Sequence, residues 1–311
     1  RLCRDWSSDV CSSDLGSQSA IAVAAGFDYS LAVQADGTVH VWGAMSEVPG
    51  DLDGVVAVSA GVAHSLALKS DGTVVAWGSN TNGQTDVPAG LDNVVAVAAG
   101  DWHSLALKSD GTVVAWGSNF AGQCSVPTGL NSAVGIAAGG MHSLALKADG
   151  TVVAWGRAAE QQCAVPAGLS NVVSVAAGLR HSLALKSDGT VIAWGGRTAD
   201  GATDRSVSVP TSLAEVIAID GGDRHSLALR SDGTFVGWGE NGAGQSFGVD
   251  FVDPPDGATS VQTDKSLTVK LSASATAGAS YGQIVLRDKN GTLISTTKTL
   301  SGDTLVVTPN A

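Results

Sequence analysis

The chain has 311 residues, 44% of them hydrophobic and only 5% aromatic, with 40 glycines, a composition suited to many short strands joined by turns. Seventeen Lys and Arg against 29 Asp and Glu leave a net charge of 17 − 29 = −12, which repels phosphate backbones and argues against nucleic-acid binding. The apolar runs fall far short of the ~18 residues a membrane helix needs, so no membrane insertion is expected.

The first segment, Arg1 to Leu15, fits no phase of the repeat that occupies most of the chain and lacks the apolar core of a signal peptide. It reads as a non-native leader, which removes Cys3, Trp6 and Cys11 from functional argument. From residue 16 to 249 the chain is a repeat. Trp77, Trp116, Trp155 and Trp194 are spaced 116 − 77 = 155 − 116 = 194 − 155 = 39 residues apart, with a degenerate copy ending at Trp42 and another at Trp238, six units in all.

Each unit begins with an apolar run such as Val94 to Ala98, bounded by Pro88-Ala89-Gly90 and Gly100. Two more runs, Ser104 to Lys108 and Thr112 to Trp116, are joined by Ser109-Asp110-Gly111, a tight-hairpin signal. Three or four strands therefore fit in each unit, and no helical pattern appears. Apolar residues at successive positions imply sheets covered on both faces, as when blades stack around an axis. The fold class expected is all-β, a propeller of six visible units with six or seven blades. The fifth interval contains an insertion, Gly196 to Ser208, whose Arg197, Asp200, Asp204 and Arg205 suit either a flexible surface loop or a functional one.

Residues 250–311 carry no copy of the repeat. Leu267 to Leu271, Gln283 to Leu286 and Leu305 to Pro309 read as strands, and Asp288-Lys289-Asn290-Gly291 as a hairpin turn. Their order resembles a bacterial immunoglobulin-like domain of the surface-layer type. The sixty-odd residues are fewer than the ~100 of a complete sandwich, so a partial β-sandwich is expected.

The segments Gly100-Asp101-Trp102-His103-Ser104-Leu105-Ala106-Leu107 and Ala115-Trp116-Gly117-Ser118-Asn119-Phe120-Ala121-Gly122-Gln123 resemble the repeats of the regulator-of-chromosome-condensation family of β-propellers. The short unit and the connector Gly83 to Ala89 are similar to the secreted bacterial β-lactamase-inhibitory propellers. The resemblance spans roughly residues 20 to 245. It implies a protein-binding module exported to the cell surface or medium, a monomer presenting one ring face to a protein partner. Inhibition of a secreted hydrolase such as a β-lactamase is the alternative it suggests, and a lyase or glycan-active propeller is a further one.

No residue pattern points to a catalyst, a cofactor or a metal. Five of the six histidines, His64, His103, His142, His181 and His225, share one phase, so propeller symmetry spreads them round a ring instead of converging them on an ion. They are expected to be structural, bonding neighbouring backbone at the turn into the hairpin. Cys124 and Cys163 follow a Gln at one phase and are expected to be unpaired small apolar residues. Gly237-Trp238-Gly239-Glu240-Asn241-Gly242 mimics a dinucleotide loop but sits in no βαβ unit.

The informative position is the two-residue slot between the repeated glycine and histidine. There the six copies diverge: Phe27-Asp28, Val62-Ala63, Asp101-Trp102, Gly140-Met141, Leu179-Arg180 and Asp223-Arg224. Aromatic, Met and Arg residues are enriched in interface hot spots. The partner-binding residues expected are therefore Phe27, Tyr29, Trp102, Met141, Arg180 and Arg224, with Asp28, Asp101 and Asp223 as polar rim and Phe120 from a second variable patch after Trp-Gly.

Overall fold

The structure, a computed structural model, describes residues 20–44, 47–197 and 204–240, together with the backbone of strands at 267–270, 286–287, 293–294, 296–301 and 304–309. The leader at 1–15 and the middle of the 196–208 insertion lie outside the described residues. The chain divides into two compact units, Arg1–Asp250 and Phe251–Ala311.

Among its described residues the first unit holds six three-stranded antiparallel sheets, β1-β2-β3 through β16-β17-β18, each in chain order. The blade of the third repeat comprises β7 (Val94–Ala99), β8 (His103–Lys108) and β9 (Val113–Gly117). Three strands per blade thus realise the lower of the two expected numbers. The first strands of successive blades touch one another, which puts β1 (Ala20–Ala25), β4 (Val55–Ala60), β7, β10 (Ala133–Ala138), β13 (Val172–Ala177) and β16 (Val216–Gly221) innermost around the propeller axis. Every one of these inner strands carries a β-bulge at its second residue, as between Val94 and Ala96.

The core is divided among the blade interfaces. Between the third and fourth blades, Leu105, Leu107 and Val113 meet Ala133, Ala145 and Trp155, and four equivalent clusters join the other neighbours. Middle strands such as β8 are buried at five of six positions because a blade lies on each side. This is the physical reason for runs of successive apolar residues where a one-sided sheet would alternate. On the sixth blade, β17 (His225–Arg230) is only half-covered and Phe235 is 62% exposed, where its counterpart Val191 is buried.

The second unit shows a three-stranded antiparallel sheet, β19 (Leu267–Lys270), β23 (Thr304–Pro309) and β22 (Thr296–Ser301), with β23 central, and a two-stranded pair, β20 (Leu286–Arg287) with β21 (Leu293–Ile294). β19 and β23 fall on strands expected at Leu267 to Leu271 and Leu305 to Pro309, and residues 283–285 of the third expected strand lie outside the described residues; β21 and β22 were not expected, the Thr-rich stretch of β22 offering little apolar signal. The Asn290-Gly291 turn lies outside the described residues, though the strands flanking it pair antiparallel.

Connectors between blades need a left-handed residue one step before the repeated glutamine. Gly83 (φ 76°) and Gly122 (φ 82°) supply it, but the fourth connector places Gln161 there at φ 62°. A side chain in this region costs free energy that glycine avoids. Gln161→Gly is therefore expected to stabilise the protein by about 0.5–1 kcal/mol, read as a raised thermal midpoint; an unchanged or lowered midpoint would show that the connector bears no such strain.

Candidate functional site

The repeat sequence converges on one node at four of the five described blade seams. The Gln84 carbonyl accepts from Trp116 Nε1–H at 2.9 Å and from Ser104 Oγ–H at 2.8 Å. The Gln123 carbonyl takes Trp155 and Ser143 in the same way, and Gln162 takes Trp194 and Ser182. In the insertion, Ser206 replaces the glutamine. A 3-10 turn, Arg205–Val207, capped by Asp204, delivers the Ser206 carbonyl to Trp238 at 2.8 Å and Ser226 at 2.9 Å. The C-terminal end of that insertion is thus framework, where sequence suggested a loop.

The histidines complete the node. His64 Nε2 lies 3.1 Å from Ser104 Oγ of the next blade, and His103, His142 and His181 reach Ser143, Ser182 and Ser226 at 2.9–3.0 Å. Since each serine gives its hydrogen to the connector carbonyl, it can only accept from the imidazole, which assigns the proton to Nε2. The expectation of a structural role at the hairpin turn is corrected in position: these side chains stitch one blade to the next. Nδ1 of His64, His103 and His142 has no partner. A Cβ on Gly100 would stand 2.3 Å from His103 Cε1 and 2.5 Å from the Gly139 carbonyl, so the repeated glycine is the space the imidazole occupies. Burial pushes these histidines far below their usual value of 6.5, to about 4 in His64 and His181 and about 3 in His103 and His142. Among the described residues no cluster of His, Cys, Asp or Glu could hold a metal.

Tyr29 occupies the histidine phase in the first blade. It is 5% exposed, donates its hydroxyl to the His64 carbonyl and accepts from Ser65 Oγ at 3.0 Å. It is therefore a seam residue and is withdrawn from the partner-binding set; its burial stems from the phase it shares with the histidines. Cys124 and Cys163 are free, as expected, but each thiol closes its connector by donating to a backbone carbonyl, Ser118 or Arg157, at 3.0 Å.

The seam also organises a face. The carbonyl just before each histidine accepts from the N–H just after Trp-Gly: Trp102 from Ser118 at 2.9 Å, Met141 from Arg157 at 2.9 Å, Arg180 from Gly196 at 2.8 Å and Arg224 from Glu240 at 2.8 Å. Slots and connectors consequently share one end of the propeller. Phe120, in a connector, is 92% exposed there and Phe27 48%. Arg180, Arg224, Asp28 and Asp223 are exposed, and Trp102 and Met141 half-buried. Arg224 faces Glu240 at 3.5 Å, an exposed pair of small energetic weight.

The slot resolves into two rings, which a flat alignment could not show. A Cβ on Gly140 would meet Leu179 at 2.6 Å and Asp101 Oδ2 at 3.0 Å, so the first slot positions crowd together around the axis. Trp102, Met141, Arg180 and Arg224 hold the second positions, beside the connectors. Asp101 is accordingly no rim residue: half-buried, with Asp223 adding repulsion, it titrates at about 6.

Comparison with known proteins accords with this architecture. The model of the regulator of chromosome condensation (RCC1) repeat matches residues 55–84, 94–123, 133–162, 172–197 and 216–245. No curated protein matches by sequence. Among solved structures, yeast RCC1 (Prp20) bound to Kap60 is similar with TM-score 0.56 and 25% identity over 70% of this chain and 69% of that one. Prp20p of Saccharomyces cerevisiae, described with its binding to Gsp1p and histones, gives TM-score 0.57 and 24% identity over 70% and 71%. The ectodomain of the Physcomitrella patens receptor kinase CR4 gives TM-score 0.58 and 26% identity over 69% and 60%. The chain thus carries five matches to the RCC1 repeat, and its propeller unit is similar in fold to RCC1 propellers.

Burial of these groups produces two pH effects of opposite sign. The histidines stay neutral in the fold but accept protons once unfolded below pH ~6.5, so stability is expected to fall as pH drops from there toward 4, each buried imidazole adding a slope of up to ~1.4 kcal/mol per pH unit. Denaturant midpoints from pH 8 to 4.5 measure this, and a flat profile would refute it. Asp101 is instead held above its unfolded value of 3.8, so its carboxylate disfavours the fold above pH ~6. Asp101→Asn should raise the midpoint at pH 8 and lose that gain by pH 4; equal effects at both would rule out the titration.

Proposed function

We propose that this RCC1-repeat propeller is a non-enzymatic protein-binding module that takes its partner on the slot and connector end. The observation carrying the reading is that the framework repeats nearly verbatim while the slot diverges, and the divergent side chains share one face. Phe27, Phe120, Trp102 and Met141 supply apolar contact, and Arg180 and Arg224 the directional charge, a composition suited to hot spots. Burying them in a complementary partner is the mechanism. The net charge of −12 disfavours a phosphate-backbone ligand.

Structural neighbours lend support at the level of fold, since yeast RCC1 (Prp20) is bound to Kap60 and Prp20p is described with Gsp1p and histones. Export to the cell surface or medium, with residues 250–311 acting as an immunoglobulin-like spacer, completes the reading. A secreted hydrolase is one partner class it includes.

The test is affinity capture with the whole chain from secreted proteins, with affinity then measured on the recovered partner. Phe27→Ala/Trp102→Ala is expected to weaken binding by at least about tenfold, as hot-spot truncation does. Phe235→Ala, at the opposite end of the blade, should leave it unchanged. Binding that ignores the double substitution, with folding confirmed by near-ultraviolet circular dichroism, would move the site elsewhere.

A further inference from the structure

The end of the propeller opposite the slots carries an apolar collar. At the bulge of each inner strand sits Ile21, Val56, Val95, Val134, Val173 or Ile217, and all six are 44–59% exposed. These residues lie at the turn-side start of the innermost strands, which touch from blade to blade. All six copies are Val or Ile. Strand propensity would be met equally by Thr, which solvates better and occurs at none of them.

The hairpin turns, each with an Asp, lie at the same end. The hairpin turn of one blade docks on the inner strand of the next, with Ala133 N–H on the Gly111 carbonyl at 3.1 Å and Val172 N–H on Gly150 at 3.2 Å. The turn that holds Asp110 thereby abuts the start of the strand that carries Val134, and the turn that holds Asp149 the start of the strand that carries Val173. Asp36, Asp71, Asp110, Asp149, Asp188 and Asp232 each accept the N–H of a Thr two residues on, and hydrogen bonds from the hydroxyl and N–H of that Thr, joined by Lys147 at Asp149 and Lys186 at Asp188, hold the carboxyls below the usual carboxylate range. The lysines of this end are already engaged: Lys69 with Asp53 at 2.8 Å, Lys108 with Asp92 at 3.0 Å, Lys147 with Asp149 at 3.0 Å and Lys186 with Asp188 at 3.1 Å. The end is therefore exposed and apolar on its inner strands, with the carboxylates of Asp36, Asp71, Asp110 and Asp232 around them outside these ion pairs.

We propose that this turn-side end is a second interaction surface, one that takes a cationic amphipathic polypeptide segment. Its apolar side chains rest on the aliphatic collar and its Lys or Arg on the turn carboxylates. Charge complementarity selects that occupant. A second copy of this chain would bring another acidic ring against the first, and anionic lipid headgroups would be repelled for the same reason. The surface is independent of the slot face.

The experiment titrates the whole chain into fluorescein-labelled Lys-Lys-Leu-Leu-Phe-Lys-Lys and monitors anisotropy. Saturable binding is expected, weakened about tenfold by Val95→Thr/Val134→Thr/Val173→Thr, which keeps the branching but loses apolar area. Asp71→Asn/Asp110→Asn, which retains the turn hydrogen bonds, should weaken it comparably, and Phe27→Ala/Trp102→Ala should not. Equal affinity for Glu-Glu-Leu-Leu-Phe-Glu-Glu or Lys-Lys-Ser-Ser-Ser-Lys-Lys, or indifference to both sets of turn-side substitutions, would overturn the proposal. So would sedimentation velocity showing dimers that the Val→Thr changes dissolve, since the collar would then serve a second copy.

Discussion

Four of the five seams between described blades hang on one connector carbonyl each. At Gln84, Gln123, Gln162 and Ser206 that oxygen takes an indole N–H and a serine hydroxyl, and the serine in turn takes an imidazole N–H from the blade before. Both lone pairs are used and every donor has one destination, so the direction of the chain of bonds is determined throughout. The tryptophans and histidines lie within the apolar seams, where an unmade hydrogen bond would carry its full desolvation penalty. That cost binds the Gln, Ser, Trp and His of each unit into one cooperative set.

This node explains why the repeat tolerates variation where it does. The slot residue Trp102 contributes its carbonyl, which accepts from Ser118 N–H within its own blade. Any residue can offer that carbonyl, so the side chain is free to diverge. The fifth interval shows the same tolerance on a larger scale. An insertion changes the connector's length and composition, yet a capped 3-10 turn restores one carbonyl, and the seam is preserved. Stability is consequently distributed among five neighbour interfaces, each with its own apolar cluster, as expected of an architecture built from nearest-neighbour contacts.

The two ends of the propeller differ because their residues answer to different constraints. At the slot positions the bonds to the N–H after Trp-Gly use backbone, and six copies carry aromatic, acidic, aliphatic and basic side chains. On the turn end the Asp-Gly-Thr hairpin is itself the structure, since Asp closes the turn on Thr and Gly takes the positive φ, 83° at Gly111. That end therefore repeats its charge and its aliphatic collar from blade to blade.

Sequence alone determined the period, the number of units, the hairpins and the two-sided burial, because these arise from local spacing: Asp-Gly turns, successive apolar residues, and tryptophans 39 apart. It also isolated the slot, since internal repetition supplies its own alignment. It misplaced Tyr29 and the histidines, whose partners lie 35 to 45 residues away on the next blade, beyond any local pattern. It missed the exposed aliphatics of the inner strands, because a bulge residue reads in sequence like any buried Val. Tertiary structure alone decided that the slot splits into an inner and an outer ring, that Asp101 faces inward toward Asp223, and that Ser206 can stand in for a glutamine. The physical reason is common to all three. Each depends on the closeness of one blade to the next around an axis, a distance that the packing of Leu, Ala and Trp between sheets sets and that no stretch of chain records.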